Sequence, residues 1–126
     1  MCNWAPESLM AEIFRVTSRH VAALPDPRSA AEWGSQERLG EVFGNRIRSL
    51  QLETRQLVLR YRSPEHMLQW LRSWYAPTRT AFATLDRYGR ARLAAELLEM
   101  VCASNWADDG TLVAASDYVE VVAVVR

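Results

Sequence analysis

The stretch Arg60-Tyr-Arg-Ser-Pro-Glu-His-Met-Leu-Gln-Trp-Leu-Arg-Ser-Trp-Tyr-Ala-Pro-Thr-Arg-Thr-Ala-Phe-Ala-Thr-Leu-Asp86 decides how the chain is organised. A strand is predicted to end at Arg62. A helix opens behind it, with Ser63 as N-cap, Pro64 in the first turn and Glu65 against the positive end of the helix dipole. Met67, Leu71 and Trp74 share one helical stripe with Leu68 and Tyr75 beside it, so this side is expected to face the core. Trp70 falls off the stripe. The helix stops near Ala76-Pro77 and restarts from Thr78 to Arg87 through Phe82 and Leu85. Gly89 then separates a third piece, Arg90 to about Ser104, with Leu93, Leu97, Leu98 and Val101 inward. Aromatic density beside a strand end builds either a core seam or the wall of an apolar pocket.

Upstream, a strand is expected over about 47–62. Leu50 and Leu52 point to one face, whereas Leu57, Leu59 and Tyr61 have the opposite parity, which predicts a bulge or break between Glu53 and Gln56. Before it, Ser35 caps a short helix that Gly44 stops, with Leu39, Val42 and Phe43 on its buried side. The first helix is entered from Met1–Trp4, with Pro6 near its first position and Glu7 in its first turn. Leu9, Ile13 and Val16, flanked by Met10, Phe14 and Val21, form a wide apolar stripe, and Pro25-Asp26-Pro27 ends the helix by Leu24. Arg28–Trp33 reads as a loop or a short turn of helix.

Downstream, Asp108-Asp109-Gly110 signals a tight turn. A short strand from Thr111 to Ala114 and a last strand over about 118–125 follow, the latter rich enough in valine to be covered on both faces. The fold class is therefore α/β, or α+β if the chain is a fragment: two main antiparallel strands and about five helices in one domain, 1–126. Two strands alone are marginal, so the chain reads as part of a larger sheet.

Composition narrows the function classes. The chain has 126 residues, 49% hydrophobic and 24% charged, which is ordinary for a single globular domain. Fifteen basic and fifteen acidic residues give a net charge of +0, which argues against a nucleic-acid partner. Arg46, Arg48, Arg55, Arg60 and Arg62 alternate with Glu53 and fall on both faces of their strand, as a solvated edge would. Cys2 and Cys102 have no metal-ligand spacing and are expected to be free thiols. The N-terminus lacks the basic lead and apolar run of a signal peptide, and the longest apolar stretch is too short to span a bilayer. A cytoplasmic protein with no membrane partner is the expectation.

Four segments in order carry a resemblance: Asn3-Trp4-Ala5-Pro6-Glu7, Glu32-Trp33-Gly34, Ser63-Pro64-Glu65-His66 and Ala107-Asp108-Asp109-Gly110-Thr111-Leu112-Val113. Together they resemble the C-terminal half of the class I S-adenosylmethionine-dependent methyltransferases, of the bacterial type 11 group similar to the enzymes of ubiquinone and menaquinone biosynthesis. In that family an Asn-Trp-Thr-Pro-Glu-Gly segment follows the fifth strand of a Rossmann-like sheet. A Ser-Pro-Glu-His segment follows the sixth, and an Asp-Asp-Gly-Thr-Leu-Val turn precedes the seventh. The resemblance implies methyl transfer from S-adenosylmethionine to a small apolar or aromatic metabolite, with this chain supplying the substrate-side half. The family's cofactor cradle is a Gly-rich turn after the first strand and an acidic residue after the second. The five glycines here, at 34, 40, 44, 89 and 110, form no G-x-G cluster. No cofactor-binding residue is assigned. The isolated chain is expected to be inactive and not to bind S-adenosylmethionine.

The candidate substrate-binding residues are Trp4, His66, Trp70 and Tyr75. Trp4 and Asn3 resemble the segment beside the methyl-transfer site, although Trp4 also suits a staple for the first helix. His66, in a first helical turn near a strand end, is the candidate base or orienting group, against a plain surface histidine. Trp70 and Tyr75 suit a substrate wall or core packing. No metal cluster or nucleophile–base set is assigned. The alternative is a non-enzymatic binding or dimerising module using the aromatic helix 63–75. Either way a truncated sheet exposes apolar surface that a homodimer or a missing N-terminal half would cover.

Overall fold

The computed structural model describes residues 1–21 and 32–126. Three strands and five α-helices occur among them: β1 (Cys2–Trp4), α1 (Leu9–His20), α2 (Gln36–Phe43), β2 (Ile47–Tyr61), α3 (Pro64–Trp74), α4 (Ala76–Thr84), α5 (Arg87–Ala103) and β3 (Leu112–Val125). The sheet order is β1-β3-β2 and both pairings are antiparallel. The fold is thus mixed α and β around a three-stranded antiparallel sheet, with β3 in the middle. No helix among the described residues is long and apolar enough to cross a membrane.

Helix starts follow local chemistry. The Ser63 hydroxyl accepts from the His66 amide and starts α3 as its sequence predicts. Ser35 caps α2 by accepting from the Arg38 amide, and Gly44 ends it at φ 50°, a conformation that favours glycine. Three other starts differ from expectation. Cys2–Trp4 is a strand, and α1 begins later, capped by Ser8, whose hydroxyl accepts from the Ala11 amide at 3.2 Å. Pro6 and Glu7 therefore precede the helix, which ends at His20 rather than Leu24; the proline stop and Arg28–Ala31 of the expected loop lie outside the described residues. Helix α4 starts at Ala76 and ends at Thr84. Gly89 does not divide helices: Asp86 caps α5 and its Oδ1 accepts the Gly89 amide at 2.7 Å, which places the glycine inside the first turn.

The phase change along β2 is not a break. The ladder with β3 runs without slippage from Ser49 to Tyr61, and the only register shift lies between Ile47 and Ser49. Helices instead cover opposite faces of the sheet at opposite ends. On one face Leu59 and Tyr61 pack with Leu112 and Ala114 of β3 against a layer built from α1, α3, α4 and α5. On the other, Leu50 and Leu52 join Val119 and Val121 around the fully buried Leu39 of α2. A straight strand serving both clusters must change parity midway.

Strand β3 obeys the same rule, and for the same reason Thr111–Ala114 and 118–125 are not separate strands. Ser116 and Asp117, which look like a break, carry a polar contact to α1 and a ladder bond to the residue after β1. The Ser116 hydroxyl accepts from the Met10 amide at 3.2 Å, and the Asp117 carbonyl accepts from the Ala5 amide at 2.9 Å. Serines 8 and 116 thereby satisfy two of the amides that the first turn of α1 leaves without intrahelical partners. The valine-rich end is covered on one side only, since Val122 and Val124 are exposed.

The wide stripe of α1 is explained by three neighbours, α4, α5 and β3. In α3 the buried sector is narrower than the sequence stripe. Met67 and Leu71 are buried and Leu68 and Tyr75 pack against the same core, whereas Trp74 is 73% exposed. The sector is rotated towards Leu68 and Tyr75, which leaves Trp74 on its margin at the last turn, where the chain already swings into α4. Trp74 is not a core residue.

Candidate functional site

Two hollows contain sequence-selected residues. The first, of about 450 Å³, is lined by Cys2, Asn3, Trp4, Leu57 and Tyr118. Its walls come from all three strands. Trp4 lies opposite Tyr118 in the β1–β3 ladder, and Leu57 lies opposite Ser116, one pleat along the same face. Successive side chains alternate across a strand, so Trp4, Tyr118 and Leu57 share one face and Asn3 points to the other. There the Asn3 side-chain amide donates to the Trp33 carbonyl at 3.1 Å and fastens β1 to the segment before α2. Gly34 is buried beside this bond. A Cβ there would lie 2.5 Å from the Trp4 carbonyl oxygen, so only glycine lets the two backbones approach this closely.

Leu57 is 42% exposed although Leu59 and Tyr61, on the same face of β2, pack against the main core. The layer of α-helices covers Leu59 and Tyr61 but stops short of Leu57, and the step at its border makes the hollow. A volume of this size and an aromatic, aliphatic lining suit a small apolar or aromatic molecule lying on the sheet.

The second hollow, of about 400 Å³, lies where β2 leads into α3 and the turn leads into β3. It is lined by Arg60, Tyr61, Arg62, His66, Thr111, Leu112 and Val113. The Tyr61 ring meets the His66 ring edge-on at 5.7 Å and the Trp70 ring at 6.2 Å, tilted by 56°. His66 and Trp70 are thus brought together by a strand tyrosine. The Arg62 amide donates to His66 Nδ1 at 3.4 Å. The Arg62 guanidinium, which can only donate, lies 3.5 Å from Nε2, so Arg62 faces both ring nitrogens of His66. Arg60 and Arg62 add positive charge at the mouth, and burial pushes the Tyr61 phenol above its ordinary value.

The four sequence-selected residues therefore do not form one site. Trp4 lines the first hollow. His66 lies at the second with Trp70, 40% exposed, beside it against Tyr61. Tyr75 lines neither; it caps the end of α3, packs against the main core, and has its phenol pushed up by burial. Leu57, Tyr61 and Tyr118 carry no local signal beyond that of strand residues. Their shared face becomes visible once β3 is known to pair with both β1 and β2.

A third hollow, of about 420 Å³, lies at the α1–α5 contact with Arg19, His20, Arg92 and Glu96 on its walls. His20 first and Arg19 second, each at 2.7 Å from the Glu96 carboxylate, hold it below the usual carboxylate range. The sequence gives His20 only a favourable place near a helix C-terminus; its long-range partner carries no local signal.

Among the described residues no group of three or more histidines, cysteines or acids could hold a metal ion. The glycines with positive φ are Gly44, which ends α2, and Gly110, which precedes β3. Neither leads from a strand into a helix, so neither makes the turn that cradles an adenosyl group. Compared with protein-family models and with curated proteins, the chain matches none.

Proposed function

We propose that this chain is the substrate-side part of a class I S-adenosylmethionine-dependent methyltransferase, and that the hollow at Trp4 receives a small apolar or aromatic methyl acceptor. One observation carries this reading. Trp4 lies in the segment that the resemblance puts beside the methyl-transfer site, and its side of the sheet opens into a hollow of about 450 Å³ walled by Leu57 and Tyr118. The setting of the other segments is in keeping with it. Asn3-Trp4 ends a strand, Ser63-Pro64-Glu65-His66 follows the next and opens a helix, and Gly110-Thr111-Leu112 leads into the last. Those strands hydrogen-bond in one sheet. The chain's contribution to catalysis is positional: an apolar floor fixes the acceptor's ring, so that less orientational entropy is lost at the moment of reaction. Cofactor binding falls to residues other than those described here.

Titration with 1-naphthol followed by tryptophan fluorescence tests the reading. Saturable quenching that Trp4→Ala weakens by about tenfold or more is expected for a ring seated on the indole. Quenching unchanged by Trp4→Ala, or none below the solubility limit of the naphthol, refutes it. Calorimetric titration of the isolated chain with S-adenosylmethionine should give no binding heat; micromolar affinity would overturn the division of labour.

A second reading has one observation in its favour. Trp70 and Trp74 on α3 are 40% and 73% exposed, which suits a non-enzymatic module that docks through this helix. Under that reading the Trp70→Ala/Trp74→Ala double variant loses its partner while naphthol binding is untouched.

A further inference from the structure

We infer that two copies of this chain pair through the outer edge of β2, antiparallel about a two-fold axis at Thr54, to give a continuous six-stranded sheet. Backbone geometry comes first. The Met1 ammonium donates to the Val121 carbonyl, the Val121 amide donates to the Met1 carbonyl and the Ala5 amide donates to the Asp117 carbonyl, so the odd-numbered residues 117–121 of β3 turn their amides and carbonyls towards β1. Alternation then turns Tyr118, Glu120 and Val122 towards β2, where they face Arg55, Glu53 and Gln51. The even-numbered residues of β2, Leu50, Leu52, Thr54, Gln56 and Val58, must therefore aim their amides and carbonyls away from the sheet. Among the described residues none makes a backbone hydrogen bond to this edge between Leu50 and Val58.

Such an edge is ordinarily blunted by proline, by a bulge or by charge on the outward-pointing residues. Here the sole register shift lies before Ser49, and none of those five residues is charged or proline. The side chains then select a second copy as the occupant. An axis at Thr54 joins even to even residues, as antiparallel hydrogen bonding requires, and sets Glu53 of one copy opposite Arg55 of the other, twice. These are non-hydrogen-bonded positions, where facing side chains lie closest. Moving the axis by one residue puts Glu53 against Glu53 or Arg55 against Arg55. Within one chain Arg55 already bonds Glu53 at 3.0 Å and Glu120 at 2.7 Å, so pairing closes a charge network across the junction. On the opposite face the axis sets exposed Val58 beside Leu50 of the second copy, covering apolar surface that is otherwise in water.

Sedimentation equilibrium of the full chain over a wide concentration range tests the inference. A reversible dimer is expected. Glu53→Arg sets four arginines at the junction and Arg55→Glu sets four glutamates, so each variant alone should raise the dissociation constant by about tenfold or more. Mixing the two restores two complementary pairs and should restore dimers, all of them mixed. Thr54→Pro, whose lost amide points outward, should abolish dimers, with a circular dichroism melt confirming that each variant still folds. A monomer at every concentration, open filaments, or dimers lost on Trp70→Ala/Trp74→Ala but indifferent to the charge exchange would overturn it. The naphthol titration is independent of this outcome, because β2 presents Leu57 on a sheet face and not on the edge.

Discussion

Gly34→Ala puts the contact between β1 and the segment before α2 to a quantitative test. A Cβ at this position would lie 2.5 Å from the Trp4 carbonyl oxygen, 3.3 Å from its carbonyl carbon and 3.4 Å from the Ala5 Cα. All three atoms are backbone, so no side-chain rotation relieves the overlap. Either β1 or the Trp33–Gly34 segment must move by something approaching an ångström to reach ordinary contact. Both are tied down: Asn3 bonds the Trp33 carbonyl, and the Ser35 amide donates to the Glu32 carbonyl at 2.8 Å. Overpacking of this kind costs about 1–3 kcal/mol. For a domain of this size that lowers Tm by about 3–15 °C, read by circular dichroism at 222 nm. The control is Gly40→Ala, in the middle of α2, where an added Cβ meets nothing within 4 Å. Removing glycine from an exposed helix interior should stabilise by about 0.5–1 kcal/mol. The two substitutions are chemically identical and should shift Tm in opposite directions. A Gly34→Ala protein that melts with the wild type would refute the close approach, and with it the placement of Trp4 at the wall of the first hollow.

Leu71 is fully buried and Trp74 is not, so Leu71→Ala should cost about 2–5 kcal/mol by urea unfolding, whereas Trp74→Ala should stay within about 0.5 kcal/mol. Ser116→Ala strands the Met10 amide in the buried interface between α1 and β3 and should cost about 1–3 kcal/mol in the same assay; Ser116→Cys, a weak acceptor of similar size, should recover part of it. Glu96 has its carboxyl depressed by His20 first and Arg19 second, so its contribution to stability is present above the ordinary carboxylate range and is lost as pH falls through the lower folded value. Glu96→Gln should therefore flatten the acid limb of a Tm-against-pH profile, and an unchanged limb would show that the pair contributes nothing.

What the sequence made legible, and what it hid, divides along one physical line. Features set within a few residues were readable: the caps at Ser35 and Ser63, the stop at Gly44, the turn at Asp109-Gly110 and the span of β2 all depend on neighbours in the chain. Features set by distant partners were not. Strand β1 has no local signal, because three residues become a strand only by pairing with Tyr118–Glu120. Ser116-Asp117 looks like a break because a polar pair inside an apolar run is normally answered by water; here the Met10 amide answers the Ser116 hydroxyl and the Gln56 side-chain amide, across the strand pair, answers the Asp117 carboxylate. The parity change in β2 looks like a bulge because a period-two pattern presumes that one face is buried along the whole strand. Helices that cover opposite faces at opposite ends satisfy the same pattern with no irregularity. That same arrangement makes the candidate site. Where the cover on one face ends, at Leu57, the strand has not yet turned its apolar side chains to the other, and an aliphatic floor is left in water beside Trp4 and Tyr118. Leu57, whose parity opposes that of Leu50 and Leu52, is thus the floor of the hollow. A Leu57→Ser substitution, which removes the apolar floor without emptying the core, should weaken naphthol binding while leaving Tm within about 1 °C to 3 °C of the wild type. A loss of stability with binding intact would show instead that Leu57 belongs to the core and that the hollow at Trp4 holds nothing.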